Sequence, residues 1–151
     1  MNQLDRLTAI EEVKRLKASY CRYLDTKDWK HLAACFTEDG VFDHGGEQGA
    51  VQGRTEIVAF LSAQVGDVQL VHHALMPEIE ITAADSATAI WGLEDRLLWP
   101  DGRRSLHAYG HYHESYEKVD GQWKISLSQV SQLRVDTAVM SSSDWKMPGS
   151  D

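Results

Sequence analysis

The chain has 151 residues, 42% of them hydrophobic, which suits a single domain able to bury a core of its own. Its formal net charge of −8, from 23 acidic and 15 basic residues, would repel a phosphate backbone, and no Lys/Arg cluster offsets it, so nucleic acid is excluded as an expected partner. No apolar run approaches the length of a membrane span.

The opening MNQLDRLTAIEE lacks a basic stretch followed by an apolar one, so a cytoplasmic location is expected. Leu7, Ile10, Val13, Leu16, Tyr20 and Leu24 then recur every three or four positions between charged residues, which predicts a helix over Asp5 to Leu24. A second helix is predicted in DWKHLAACF, with Asp28 as its N-cap and Trp29, Leu32, Ala33 and Phe36 turned inward. TEDG breaks it, VFDH reads as a short strand, and GGEQG as a turn. A third helix, RTEIVAFLSAQ, follows Gly53 and carries Ile57, Phe60 and Leu61 inward.

After Gly66 the period changes to two. VQLVHHAL, EIEIT, ATAIWGLEDRLLW, SLHAYGHYHESYEKV and QWKISLSQVSQL read as strands. Asp101-Gly102 and Asp120-Gly121 mark hairpin turns between the last three. Helices first and strands afterwards imply an α+β fold, with three helices on one face of a curved antiparallel sheet. One domain over 1–136 is expected, with a Ser-rich tail over 137–151 outside the sheet, where Trp145 and Met147 could dock.

Several residues could carry chemistry. Asp25 closes the first helical run directly after Leu24, and is equally readable as a solvated turn residue or as a carboxylate aimed inward. His72 and His73 are adjacent in a strand, so alternation sends them to opposite faces and at most one reaches the core. A buried histidine beside a carboxylate is an acid/base arrangement, because the carboxylate fixes the tautomer and stabilises the imidazolium. His111 and His113 form an H-x-H pair, but Glu114 points to the other face, so no metal site is expected. Gly110, Tyr112 and Glu114 are expected to line a cavity, the glycine leaving room for a ligand. Cys21 and Cys35 fit half-buried thiols, not a disulfide or metal ligands. Phosphate-loop and nucleophile-elbow motifs are missing, which gives no support to a cofactor. Seven histidines, five tryptophans and five tyrosines suit a pocket with apolar walls and titratable groups.

YLDTKDWKHLAACFTEDGVFD, GRTEIVAFL, VHHAL and GHYHESYEKVDGQWKI together resemble the SnoaL-like branch of the nuclear-transport-factor-2-like superfamily, over roughly Asp5 to Leu133. That branch includes scytalone dehydratase, bile-acid 7α-dehydratase and hexachlorocyclohexane dehydrochlorinase. The resemblance implies a cone-shaped sheet enclosing a pocket, no cofactor, and an acid/base pair that carries over to Asp25 and His73. It also implies substrate-binding positions at Tyr20, which matches a pocket tyrosine of the bile-acid enzyme, and at His44, Trp91, Tyr112 and Ser128, where the residue types differ from those of scytalone dehydratase or the dehydrochlorinase. The implied function is a dehydratase-like lyase in which His73 removes a proton from a small oxygenated cyclic or aromatic compound and Asp25 orients it. Isomerase or polyketide-cyclase activity with the same pair, or a non-catalytic binding domain of the same fold, are the alternatives. The family also implies a homo-oligomer, dimer or trimer, with Tyr109, His111 and His113 on an outer face suited to an interface.

Overall fold

The computed structural model describes residues 1–140, so the expected docking of Trp145 and Met147 lies outside the described residues. The first helix, α1, spans Gln3–Asp25. Asn2 opens it with a capping box: its side-chain oxygen accepts the Asp5 N–H at 2.9 Å, while the Asp5 carboxylate accepts the Asn2 N–H. The buried stripe of α1 is Ala9, Val13, Lys17, Tyr20, Cys21 and Leu24. Leu7, expected in that stripe, is exposed, and a lysine stands inside it. Lys27, at φ 57°, turns the chain into α2, Trp29–Ala34. Asp28 is its N-cap, accepting the His31 N–H at 3.3 Å and holding the His31 ring at 2.7 Å. Phe36 is not part of this helix; it starts β1, Phe36–Asp43, so TEDG lies inside a strand and not at a break. Gly40 permits this, because a Cβ there would come within 3.2 Å of the Thr37 carbonyl oxygen.

A two-residue strand β2, Val51–Gln52, precedes α3, Arg54–Val65. The remaining strands are β3 (Gln69–Ala83), β4 (Ser86–Leu98), β5 (Arg104–Val119) and β6 (Gln122–Val139). VQLVHHAL and EIEIT, expected as two strands, both lie in β3, which crosses a bulge at Met76 and Pro77. β6 runs on through residues 137–139, which pair with Arg104, Ser105 and Leu106; the expected tail boundary at 137 therefore falls inside the sheet.

The six strands form one sheet in the order β2-β1-β6-β5-β4-β3. All pairings are antiparallel except β1 with β6, so the sheet is mixed and not purely antiparallel. The fold is α+β: three helices against a curved, unclosed sheet, with α1 packed on β3 and β6 and α3 on β1 and β2. Val13, Leu32, Phe36, Ile57 and Ile125 are fully buried between the helices and the inner face. On β5 that face carries Ala108, Gly110, Tyr112, Glu114 and Tyr116, as alternation predicts. His107, Tyr109, His111 and His113 take the outer face. Gly110, however, makes room for protein and not for a ligand. A Cβ there would stand 2.0 Å from the Ser131 carbonyl oxygen, beside the bulge that β6 makes at Leu133. Among the described residues, no helix is long and apolar enough to cross a membrane.

Candidate active site

Asp25 is the last residue of α1 and reaches β3. Its oxygens accept the His72 backbone N–H at 3.0 and 3.1 Å, and Oδ1 lies 2.6 Å from His72 Nδ1. The carboxylate therefore holds the ring by Nδ1 and the strand by its amide. This arrangement assigns the Nδ1 proton to the bond with Asp25 and leaves Nε2 as the free lone pair.

The partner of Asp25 is thus His72, and the expected contact between Asp25 and His73 is not formed. Strand alternation is the reason. His72 shares the inner face with Leu70 and Ala74, whereas His73 turns outward with Val71 and Leu75. The bulge explains why later residues mislead. Ile79 and Ile81 are the inward residues beyond Met76, and their odd parity, extended backwards, would select His73. Two residues, Met76 and Pro77, oppose Trp91 alone, which flips the alternation between the two halves of β3. Gln69, a polar residue on the parity of His73 at the start of the strand, is the local signal for the right choice.

A second carboxylate approaches the same ring. Asp95 on β4 pairs with His72 across the strands, and its Oδ2 stands 3.7 Å from His72 Nε2. The three side chains are largely enclosed, with 23%, 11% and 14% of Asp25, His72 and Asp95 exposed. The Tyr112 hydroxyl donates to Asp95 Oδ1 at 3.4 Å. Burial raises the Asp95 pKa above its ordinary value, against the attraction of His72 and Lys17. Nothing in the sequence around Asp95 marked it; only its register opposite His72 does.

Asp25 and His72 lie in a cleft of about 680 Å³ between α1 and β3, whose wall includes Lys17, Cys21 and Trp91, with His73 at its outer lip. Below it lies a second polar cluster that sequence reading also missed in part. Lys17, at the centre of α1, donates to Glu114 Oε1 at 2.6 Å, both side chains being essentially inaccessible. The ammonium also sits 3.4 Å from the Tyr112 ring centre and 4.3 Å from that of Tyr20. Ser128 donates to Glu114 Oε1 at 2.7 Å, Tyr116 donates to Glu114 Oε2, and the Trp91 indole N–H donates to the Tyr116 hydroxyl at 2.9 Å.

Of the expected substrate-binding residues, Tyr20, Trp91, Tyr112 and Ser128 are thus brought together in one interior. The polar groups of Trp91 and Ser128 are already engaged within the protein. His44 is not brought to the cleft: it stacks on Phe60 with ring centres 4.9 Å apart, and its buried Nε2 has no partner among the described residues. Burial drives the phenols of Tyr20, Tyr112 and Tyr116 well above their usual pKa and pushes the Cys21 and Cys35 thiols up to about 11. These groups are held neutral and act as hydrogen-bonding or packing surfaces.

The chain is 25% identical over 133 residues to the probable cyclase FGR4 of Gibberella zeae, covering 80% of this chain and 89% of that protein. The structure superposes on a hexachlorocyclohexane dehydrochlorinase, LinA type 2, with a TM-score of 0.85 at 19% identity, covering 98% of this chain and 99% of that one. It superposes on a candidate scytalone dehydratase of Novosphingobium aromaticivorans with a TM-score of 0.83 at 20% identity, covering 96% and 100%. At such identities the likeness speaks for the fold. The SnoaL-like domain itself matches residues 5–128, from α1 through the strand that carries Ser128. With that match and the α+β cone observed, the chain belongs to the SnoaL-like family of the nuclear-transport-factor-2-like superfamily.

Proposed function

We propose that the protein is a cofactor-independent enzyme that removes a proton from a carbon acid, with His72 as the base and Asp25 as the residue that orients it. The observation that carries this reading is the pair of contacts from Asp25 to His72 Nδ1 and to the His72 amide. Together they leave Nε2 as the one basic lone pair and fix its direction. Positioned groups of this kind each contribute roughly 10²–10⁴-fold to a rate. The substrate class is a small, mostly apolar, oxygenated ring compound whose acidic carbon lies next to a carbonyl or an activated ring. Elimination of water is the leading reaction. Ring closure begins with the same proton abstraction, and the cyclase relative favours it as the second reading. His44, whose buried Nε2 has no partner among the described residues, has a polar group that a substrate oxygen could satisfy.

The test is elimination from β-hydroxy cyclic ketones, followed by the absorbance of the conjugated product. Wild type should turn over, while Asp25→Asn and His72→Ala should lose at least about 100-fold in kcat. If wild type never turns over such compounds and both variants bind them as tightly as wild type, the protein is a binding domain and the enzymatic reading fails.

A homo-oligomer is also part of this proposal. The outer face of the sheet offers Val71, Leu75 and Ile90, each about two-fifths exposed, beside Tyr109, His111 and His113. Light scattering should give a mass that is a multiple of 17.0 kDa; a monomer at all concentrations would refute it.

A further inference from the structure

On that reading, one residue near the base has no role yet. Asp95 is held on the Nε2 side of His72, at 3.7 Å, by its place opposite His72 in the β3–β4 ladder. That distance is too long for a hydrogen bond. His72 Nδ1 is taken by Asp25, so whatever Nε2 abstracts a proton from must also lie beside Asp95. We propose that Asp95 is the acid that protonates the leaving oxygen, and that it recovers its proton from His72 through the water so released.

The step balances without any outside reagent. The carbon–hydrogen bond breaks, its proton goes to His72 Nε2, and its electron pair becomes the new double bond. The carbon–oxygen bond breaks with its electrons on oxygen, which takes the Asp95 proton and leaves as water. The products are an imidazolium and a carboxylate facing one another across the original gap. The released water accepts the Nε2 proton and passes one of its own to an Asp95 oxygen, which restores both groups for the next turnover.

For this cycle Asp95 must start protonated, and burial acts in that direction. It is largely enclosed, and its neighbours are His72 on β3, Lys17 and Asp25 on α1, and Tyr112 on β5. Burial raises its pKa and the Asp25 charge adds to that, while His72, Lys17 and the Tyr112 hydroxyl act in the opposite sense. Tyr112 keeps Asp95 Oδ1 occupied, which leaves Oδ2 directed at the reaction. Asp25, the other carboxylate, accepts two hydrogen bonds from His72 and cannot serve as the acid.

The experiment uses two substrates with the same carbon acid, one losing hydroxide and the other chloride, which departs without a proton. Asp95→Asn should lower kcat for the hydroxy substrate at least about 100-fold and leave the chloro substrate within about threefold. His72→Ala should lose activity on both. In wild type, deuterated solvent should slow the hydroxy substrate more than the chloro one, a readout that does not depend on how any variant folds. Equal losses of Asp95→Asn on the two substrates, or equal solvent effects in wild type, would overturn the assignment of Asp95 and leave the base intact. Activity of His72→Ala equal to wild type, or no turnover of either substrate by wild type, would overturn the proposed function and this inference with it.

Discussion

Two polar clusters occupy the same interior and differ in how fully they are satisfied. In the lower one, Lys17, Glu114, Tyr116, Ser128 and Trp91 have all found partners: Glu114 accepts from three of them, and Tyr116 both donates and accepts. In the upper one, Asp25 is fully engaged by His72, but His72 Nε2 and Asp95 face each other across a gap. Tyr112 joins the two, with its ring under the Lys17 ammonium and its hydroxyl towards Asp95. A saturated buried network fixes one arrangement of the core, because each group is costly to leave unpaired. On the proposed function, an unsaturated one keeps a lone pair and a carboxyl for a reactant. The contrast then separates residues that hold the site from those proposed to act in it.

The largest expected effect tests the upper cluster. His72→Ala should cost roughly 10²–10⁴-fold in kcat, whereas His73→Ala, on the outer face, should stay within a few-fold of wild type. Steady-state kinetics on the two variants decides between the adjacent histidines, and the reverse ranking would restore His73 as the base.

The lower cluster should answer in stability. Lys17→Met leaves Glu114 buried without its cation and should cost about 3–5 kcal/mol in urea unfolding. Adding Glu114→Gln should recover most of the loss, since the unpaired charge is then removed. No recovery would mean that packing against Tyr20 and Tyr112 carries the effect.

A smaller effect should appear at alkaline pH. The Cys21 and Cys35 thiols are held at about 11 in the fold against 9.0 for the free group. Groups raised in this way contribute stability that is full below about pH 9 and is lost as pH rises towards 11, by about 2 kcal/mol for each thiol. Unfolding free energies measured from pH 8 to 11 should fall accordingly, and Cys21→Ala should flatten the slope.

The smallest effect separates the two aspartates of YLDTKDWKHL. Asp28→Ala removes the α2 cap and should lower Tm by roughly 3 °C without changing kcat. Asp25→Asn should instead act on kcat. If Asp28→Ala abolishes turnover, α2 contributes to catalysis in a way that its capping geometry does not explain.

The sequence by itself determined the α+β class, the order of the main elements, the Asp28 cap, the two hairpins and the inner face of β5. All of these depend on local period, capping chemistry and turn residues, which neighbouring positions specify. It also singled out Asp25 as a candidate, through the motif around it. Only the tertiary structure decided which histidine meets Asp25, because a bulge at Met76 and Pro77 reverses the alternation between the two halves of β3. Gly110 turned on a long-range fact too, its missing Cβ making way for the β6 backbone. Lys17 inside an apolar stripe, the extension of β6 through residue 139, and the approach of Asp95 to His72 belong with it. Each depends on which strand lies opposite which, a relation between residues tens of positions apart that no local pattern encodes.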